Sequence, residues 1–234
     1  GNSATSTPVL LAVNPALPGG TYVIDQNGGG DFLNFTQVKA ALACGITGPV
    51  VFNVEPMSGP YVEQFLLDTI PGSSAVNTIT FNGNGNTIQF SSSVADARSV
   101  IGLRRTDYVT FDSLVIDATG TGTYGWGVFM TNNADNNTFR KCRLILNNTA
   151  TTVNFAGIII SSSATGATTS GATFCDNNLF ENNEISGGYY GITQMGVAAT
   201  PSVGNKFIGN KITDFYSYGI YAGISTNLVI QNNT

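Results

Sequence analysis

The sequence predicts an all-β fold, a single-stranded parallel β-helix (a solenoid) with a short capping helix near the N-terminus. The first observation is a sequence phrase that recurs at the spacing of one coil, which is typical of repeat architectures. The second is a series of short segments rich in β-branched and aromatic residues, separated by Gly, Asn and Asp. The third is that helical periodicity is confined to the first fifth of the 234 residues, which excludes helical repeats. In such a solenoid, equivalent residues of successive coils stack about 4.8 Å apart in columns.

The N-terminal segment, residues 1–20, is predicted to be an extended leader or linker, because it is rich in Ser, Thr and Pro. The chain begins at Gly1 without a methionine, so we expect a signal peptide or tag to have been removed. The β-helix domain is predicted over residues 21–234 and starts with the strand TYVID. We expect this domain to be a monomer or part of a larger multi-domain chain.

The one predicted helix is FTQVKAALA, residues 35–43. Its spacing places Phe35, Val38 and Leu42 on a common face, and Asn34 is a suitable N-cap. A solenoid needs a cap over the end of its core, so this helix is expected to cover the N-terminal end. The strand-like stretches PVVFNV, YVEQFLL, NTITF and NTIQF follow it.

Residues from about 77 to 234 carry the repeat, which alternates two phrases and predicts two short strands per coil. The first phrase has two apolar residues five positions apart, and its phenylalanine copies are separated by 28, 41 and 27 residues. The second phrase is a glycine followed by Val or Ile. Copies of the first phrase begin at Phe111, Phe139, Phe180, Phe207 and Val229, and copies of the second at Gly127, Gly157, Gly191 and Gly219.

A column of asparagines lies three positions after the start of the first phrase. It contains Asn183, Asn210 and Asn232, whose stacked amides can donate to one another's carbonyl oxygens at a turn. Cys142 occupies the same column and is predicted to be a small buried hydrophobic residue. In this alignment Thr234 takes the place of a core residue, so we expect an interrupted coil and a chain that is a fragment.

Charged residues beside the core positions are predicted to face outward and to pair between coils. Exposed cross-strand ion pairs contribute from a few tenths to about 1 kcal/mol each, so they set register more than stability. The two columns are Asp112, Arg140 and Glu181, and Val115, Arg143, Glu184 and Lys211. The variable spacing falls between the second phrase and the next copy of the first. Residues 161–176 and 196–204 are therefore predicted to be neighbouring loops at one corner, on a face suited to binding.

Composition excludes several functions. Only 10% of the residues are charged, the net charge is -5 and the sequence pI is near 4.4, so we expect no nucleic-acid partner. Apolar runs are much shorter than the roughly 20 residues of a membrane span, so we expect no membrane insertion. Because histidine is absent, a zinc site and imidazole-dependent acid–base schemes are excluded, and no metal site is predicted. Three cysteines allow at most one disulfide, and a pairing of Cys44 with Cys175 is left open.

The N-terminal third resembles the opening of pectin methylesterases and other members of the pectin-lyase-like superfamily of right-handed β-helices. The stretches that carry the resemblance are DQNGGGDFLNFTQVKAAL, VVFNV and GPYVEQ, with Gly30, Asp31, Phe32, Gln37, Ala41, Gly59, Tyr61 and Glu63. The later repeats resemble the generic right-handed β-helix repeat of secreted bacterial surface proteins. The resemblance implies a right-handed fold and an extracellular or cell-surface location. It implies no catalytic residues, because the methylesterase, pectate lyase and polygalacturonase signatures are all absent and activity does not follow from fold.

Two functional classes follow. The favoured one is a secreted or cell-surface module that binds polysaccharide or acts as an adhesive or structural element, because the 14 acidic residues are mostly isolated or paired with bases. The alternative is a polysaccharide-active enzyme of the lyase, hydrolase or esterase type, with no cofactor or with Ca²⁺ if it is lyase-like. Its candidate catalytic residues, which could instead form a solvated turn, are Arg104, Arg105, Asp107, Asp112 and Asp117.

Aromatic residues near the glycines of the second phrase are the candidate sugar-binding residues. They are Tyr124, Trp126, Tyr190, Tyr216, Tyr218 and Tyr221. Aromatic columns along the axis suit a linear neutral or uronic polysaccharide, because the C–H faces of sugar rings pack on aromatic rings. Strict alternation from the Val or Ile after each glycine instead places Trp126, Tyr190 and Tyr218 on the core side.

Overall fold

A computed structural model describes residues 15–234 and has the predicted architecture, a right-handed parallel β-helix of about seven turns. One short helix, 4% of the chain, is present in these residues. Most of the predicted leader, residues 1–14, lies outside the described residues. Leu17 forms a parallel bridge with Ile46 just before the first strand.

The described chain contains the helix α1 (Phe35–Leu42) and 22 strands. The strands are β1 (Gly20–Ile24), β2 (Val50–Val54), β3 (Tyr61–Val62), β4 (Phe65–Leu67), β5 (Ile79–Asn82), β6 (Thr87–Gln89), β7 (Ser99–Arg104), β8 (Val109–Asp112), β9 (Val115–Asp117), β10 (Gly125–Thr131), β11 (Thr138–Arg140), β12 (Arg143–Ile145), β13 (Phe155–Ile160), β14 (Leu179–Glu181), β15 (Glu184–Ser186), β16 (Tyr190–Met195), β17 (Ser202–Val203), β18 (Lys206–Ile208), β19 (Lys211–Thr213), β20 (Tyr218–Gly223), β21 (Ser225–Thr226) and β22 (Val229–Gln231).

Each full coil passes through three parallel sheets. Sheet 1 has the order β1-β2-β5-β8-β11-β14-β18-β22, sheet 2 the order β3-β6-β9-β12-β15-β19, and sheet 3 the order β4-β7-β10-β13-β16-β20, with a small extra pair β17-β21. The prediction of two strands per coil was wrong, because a residue with positive φ splits the first phrase between sheets 1 and 2. These left-handed residues are Ser113, Lys141, Asn182 and Gly209.

A row of fully buried phenylalanines forms the centre of the core against sheet 1. The row is Phe52, Phe81, Phe111, Phe139, Phe180 and Phe207. Neighbouring ring centroids are 4.7 to 5.7 Å apart, and the first five rings are nearly parallel. Such pairs contribute about 0.5–1.5 kcal/mol each beyond the area they bury. The predicted phenylalanine column is confirmed, and it extends two coils further towards the N-terminus.

The predicted asparagine ladder is present at the turn between sheets 1 and 2, with one member corrected. The amide of Asn183 donates to Oδ1 of Asn210, and the amide of Asn210 donates to Oδ1 of Asn233, both over 2.9 Å. Asn232 is not part of the ladder, because it has a φ of 55° and occupies the left-handed position of the turn. Cys142 lies in the same column, buried, and its backbone N–H donates to Oδ1 of Asn183.

The last copy of the first phrase starts one residue later than the sequence alignment placed it. Phe207 pairs with Ile230, and Val229 pairs with Lys206. Thr234 therefore stands opposite Lys211 on the outside of the coil and not at a core position, since its N–H donates to the carbonyl of Asn210. The shift arises because Val229 and Ile230 are both β-branched, so that the sequence allows either frame.

A second asparagine ladder lies where each coil enters sheet 1, two residues before the phenylalanine. The backbone N–H of Asn137 donates to Oδ1 of Asn178 over 2.9 Å, and that of Asn178 donates to Oδ1 of Asn205 over 2.7 Å. All three residues are fully buried. This ladder was not predicted from the sequence, although the recurring Asn-x-Phe motif is its signal.

The glycines of the second phrase point into the core and break the alternation of sheet 3. A Cβ built on Gly127 would lie 2.8 Å from Cδ2 of the core residue Leu144, and one on Gly157 would lie 2.8 Å from Cγ2 of Ile185. Since Val128 also belongs to the core, two consecutive residues face inward. The expectation that Trp126, Tyr190 and Tyr218 lie on the core side is therefore wrong, and Trp126 lies with Phe129 on the outer face.

Helix α1 covers the first complete coil, as predicted. It replaces the strands of sheets 2 and 3 in the coil that begins with β1, since those sheets start only at β3 and β4. Its residue Phe35 is fully buried and contacts the rings of Tyr61 and Phe65 at centroid distances of 5.2 and 5.1 Å. Oδ1 of Asn34 accepts from the N–H of Gln37, which confirms the predicted N-cap.

The residues that carry the N-terminal resemblance have structural roles. Both carboxylate oxygens of Glu63 accept backbone N–H groups at the start of α1, those of Phe35 and Thr36. Asp31 accepts from the N–H of Val23 over 2.8 Å. The hydroxyl of Tyr61 donates to the carbonyl of Ile24. This motif therefore builds the cap and the first coil.

The two predicted loops, 161–176 and 196–204, are neighbours at the corner between sheets 3 and 1. Oγ of Ser170 donates to the carbonyl of Gly196 over 2.6 Å, and the N–H of Val203 donates to Oδ1 of Asp176 over 2.7 Å. The prediction that both insertions collect at one corner is confirmed.

The predicted cross-coil charge pairing is confirmed for one pair. Nε of Arg140 lies 2.7 Å from Oδ2 of Asp112. Arg143, Glu184 and Lys211 lie in register, but among residues 15–234 no ion pair joins them. The three cysteines are free thiols, and burial raises the pKa of Cys142 and of Cys175 to about 12, which makes both unreactive.

Candidate functional site: the outer face of sheet 3

The outer face of sheet 3 carries two columns of mostly apolar side chains. The first column is Ser99, Trp126, Ala156, Tyr190 and Tyr218, and the second is Leu66, Gly102, Phe129, Ile159, Thr193 and Tyr221. The inward glycines produce this arrangement, because they turn the residue before and the residue two after each glycine to the outside. Four of the six predicted sugar-binding residues lie in these columns.

The loop 161–170 crosses this face and divides it. Ala167 packs with Trp126, Ala156 and Ile159 in a small buried cluster that is separate from the main core. Its carbonyl accepts from Oγ1 of Thr193 over 2.7 Å, which fixes the loop to the sheet. A cavity therefore remains on the N-terminal side of the loop, and a group of tyrosines remains on its C-terminal side.

Two of the predicted sugar-binding residues serve packing. Trp126 is 0% exposed, and its indole Nε1 donates to the carbonyl of Val153 over 2.8 Å. The guanidinium of Arg98 lies 4.0 Å from the ring centroid of Tyr124 and 5.2 Å from that of Trp126. Arg98 is itself only 8% exposed, and burial lowers the pKa of this guanidinium. Cation–π contacts of this kind stabilise the fold, and here they cover one face of the Tyr124 ring.

The other four predicted residues come together with Tyr189 in what we call the tyrosine cluster. Its members are Tyr189, Tyr190, Tyr216, Tyr218 and Tyr221, with neighbouring ring centroids 4.7 to 6.1 Å apart. Tyr216, Tyr218 and Tyr221 are 61%, 53% and 37% exposed. Burial, together with the neighbouring phenols, raises the pKa of Tyr190, so this phenol is uncharged at neutral pH. Tyr189 was not predicted as a site residue, although it adjoins Tyr190 in the sequence.

The tyrosine cluster runs around the coil more than along the axis. Tyr216 lies in the connection between sheets 2 and 3 and contacts Tyr189, which adjoins Tyr190 on the sheet. Tyr190 then contacts Tyr218 and Tyr221 of the next coil. The predicted axial file of aromatics is thus confined to the last two described coils.

The cavity on the N-terminal side has a volume of about 330 Å³. Its lining residues include Leu66, Phe129, Lys39, Asp68 and Arg104. The Arg104 and Arg105 guanidiniums lie 2.6 and 2.9 Å from the carboxylate of Asp68 and hold its pKa well below the usual range. A carboxylate so held is a permanent anion and cannot act as a general acid. Asp68 was not predicted from the sequence, because it lies 36 residues from Arg104 along the chain.

The five candidate catalytic residues are not brought together. Arg104 and Arg105 bind Asp68, whereas Asp112 binds Arg140 in sheet 1. Asp117 accepts from Oγ1 of Thr119 and from the amide of Gln89 at the other side of the coil.

Asp107, the fifth candidate, belongs to a column of three aspartates at the corner between sheets 3 and 1. Oδ1 of Asp107 accepts from the N–H of Asp135, Oδ1 of Asp135 from that of Asp176, and Oδ1 of Asp176 from that of Val203. Burial, with Asp107 and Asp176 on either side, raises the pKa of Asp135 to about 6. These carboxylates tie successive coils together.

Other kinds of site are not seen in the described part of the chain. Among residues 15–234 no three His, Cys, Asp or Glu side chains are grouped as they would be to hold a metal ion. The described helix is also too short and too polar to cross a membrane.

The last coils match a described protein family. The sequence model of the family "Right handed beta helix region" matches residues 172–234, the part that contains the tyrosine cluster. A crystal structure of the pectin methylesterase from Aspergillus niger is similar to this chain at 14% identity and a TM-score of 0.43, over 100% of this chain and 88% of that one. No curated protein sequence matches the chain.

Proposed function

We propose that this protein is a secreted or cell-surface module that binds polysaccharide through the tyrosine cluster. The observation that carries the proposal is the contact of five tyrosine rings on one surface, three of them more than one third exposed. Sugar rings pack their C–H faces on such phenols, while their hydroxyl groups bond to the phenolic oxygens. Exposed apolar patches of this kind mark interaction sites.

The rigidity of the surrounding coil favours binding. The backbone N–H groups of Tyr216 and Ser217 donate to the carbonyls of Gly188 and Tyr189 over 2.9 Å, which fixes the connection that carries Tyr216. Tyr218 and Tyr221 stand on strand β20, which pairs in register with β16. A preformed aromatic surface loses little side-chain freedom on binding, which limits the entropic cost.

The alternative, a polysaccharide-active enzyme, has less support. Asp68, Asp112 and Asp117 are engaged by arginines, hydroxyls or amides, and a hydrolase or lyase needs a carboxyl or base free to exchange a proton. A depolymerisation assay on a polysaccharide panel, with and without calcium, tests this alternative directly.

Affinity electrophoresis against the same panel tests binding. The double variant Tyr216→Ala/Tyr221→Ala is expected to lose the retardation that the parent shows, whereas Tyr216→Phe/Tyr221→Phe retains most of it because stacking survives. The matched control is Val62→Ala/Val76→Ala, which removes two side chains that are 75% and 78% exposed elsewhere. Unchanged retardation of the alanine variant, or no glycan bound by the parent, would contradict the proposal.

A further inference from the structure

The surroundings of the tyrosine cluster are almost free of charge. Residues 185–205 contain no Lys, Arg, Asp or Glu, and residues 212–234 contain a single one, Asp214. These two segments supply every member of the cluster. Two lysines separate the segments: Lys206 lies on β18 of sheet 1, and Lys211 lines a different cavity on sheet 2 together with Arg143 and Glu184.

A cavity of about 480 Å³ adjoins the cluster at the corner between sheets 2 and 3. Tyr216 belongs to both, since it lines the cavity and its ring lies 5.3 Å from that of Tyr189. The other lining residues are Asn148, Thr149, Ala150, Thr151, Asp214 and Phe215. This volume falls within the range of about 300–1,000 Å³ that is typical of small-ligand pockets.

The cavity offers unused hydrogen-bonding groups beside an aromatic wall. Oδ2 of Asp214 accepts from Oγ of Ser186 over 3.0 Å, while Oδ1 accepts from no residue of the described range 15–234. Within the same range the side chains of Asn148 and Thr151 have no hydrogen-bond partner. A free carboxylate oxygen, an amide and a hydroxyl next to an exposed phenol complement the hydroxyl groups and C–H face of a sugar.

We infer that this cavity is a subsite for an uncharged sugar residue, with Asp214 accepting hydrogen bonds from its hydroxyls, and that the site selects neutral polysaccharide over uronate polymers. The inference rests on the proposed glycan-binding function. A uronate would meet one carboxylate of like charge and no cation, and unpaired or like charges are strongly disfavoured at a binding site.

Two substitutions of Asp214 test its role without disturbing the fold. Asp214 is exposed and has a φ of 58°, a conformation that Asn and Gly adopt readily. Asp214→Gly removes the whole side chain and is expected to weaken binding to neutral glycans about tenfold, because a hydrogen bond to a charged group is lost. Asp214→Asn keeps Oδ1 but removes the charge, so it is expected to weaken neutral glycans about threefold and to strengthen any uronate binding.

The measurement is affinity electrophoresis of the parent, both Asp214 variants and the control Asp96→Asn on neutral β-glucan, galactan and polygalacturonate gels. Asp96 is an exposed acid that lines the cavity on the other half of the same face. Retardation by neutral gels alone, reduced by the Asp214 variants and not by Asp96→Asn, supports the inference. Polygalacturonate bound as tightly as neutral glycans, or neutral binding that depends on Tyr216 and Tyr221 but not on Asp214, overturns it while the proposed function stands. A parent that binds no glycan overturns both.

Discussion

The two halves of the outer face of sheet 3 place aromatic residues in the same columns but give them different roles. In the N-terminal half Trp126 is fully buried, whereas Tyr218, in the same column, is 53% exposed. Trp126 is covered by Ala167 of the loop 161–170 and by the connection 146–154, whose Val153 carbonyl accepts from its indole. Tyr218 stands on β20, the last strand in the order of sheet 3, where none of these loops covers it. The position of an aromatic residue in the repeat therefore decides whether its side chain points away from the core. The neighbouring loops decide whether that side chain is exposed.

Alanine substitutions of Trp126 and Tyr218 should show the largest difference in stability between the two halves. Trp126→Ala is expected to lower the free energy of unfolding by about 3–5 kcal/mol, because it empties a buried site and leaves the carbonyl of Val153 without its donor. Tyr218→Ala is expected to cost less than about 1 kcal/mol, because the side chain is half exposed. Urea unfolding of both variants checks this, and similar losses for the two would show that the halves do not differ.

Substitution of an inward-facing glycine should destabilise the fold more in the middle of sheet 3 than at β20. A Cβ on Gly191 would lie against the carbonyl of Gly219 and Cγ2 of Ile212, so Gly191→Ala is expected to cost about 1–3 kcal/mol and to displace Tyr190. Gly219→Ala is the matched control, because its Cβ would meet only the ring of Phe215 at 3.2 Å, which can turn away. Thermal unfolding and near-ultraviolet circular dichroism report both effects. Equal losses at the two glycines would refute the inward orientation of the column.

The smallest expected effect concerns the partly buried carboxylate of Asp135 and the dependence of stability on pH. Asp135 has a pKa raised to about 6 in the folded protein, above its unfolded value, so its burial favours the fold at low pH and this contribution is lost as pH rises from about 4 through 6. Asp135→Asn keeps the acceptor for the N–H of Asp176 and is expected to stabilise the protein by about 1 kcal/mol at pH 7, after allowance for solvent screening. The gain should vanish near pH 4.

Melting temperatures of the parent and Asp135→Asn at pH 4, 5.5 and 7 test this expectation. Asp107→Asn serves as the control, because that position has a neighbouring carboxylate on one side of the column only. A difference between parent and Asp135→Asn that stays constant over this pH range would rule out the titration of Asp135 as its cause.

The repeat itself was predictable from the sequence. Phe111, Phe139, Phe180 and Phe207 recur in one frame, because each coil pairs in register with the next and the core accepts the same residue type at the same height. The helix, its Asn34 cap and the corner of loops follow from equally local rules. The frame failed at Val229, where two adjacent β-branched residues fit either register.

The chemistry of the face was not predictable in the same way. Asp68 binds Arg104 and Arg105, and Arg98 covers Tyr124, through contacts between residues that no period relates. The alternation rule failed at Trp126, because the inward glycine beside it adds a second core-facing residue to the strand. Distances between side chains of different loops depend on the folded coil, and the sequence pattern does not contain them.

In both asparagine ladders, a side chain of one coil satisfies backbone groups of the coil before it. The side chain of Asn183 accepts the backbone N–H of Cys142 and donates to the carbonyl of Phe139, so a residue of one coil seals the turn of the coil before it. Asn178 does the same for the N–H of Asn137 and the carbonyl of Ala134. A newly formed coil thus presents buried donors and acceptors that only the following coil can satisfy. Folding from the N-terminus, as during synthesis, is therefore expected to proceed coil by coil, with the buried groups of each coil satisfied by the next.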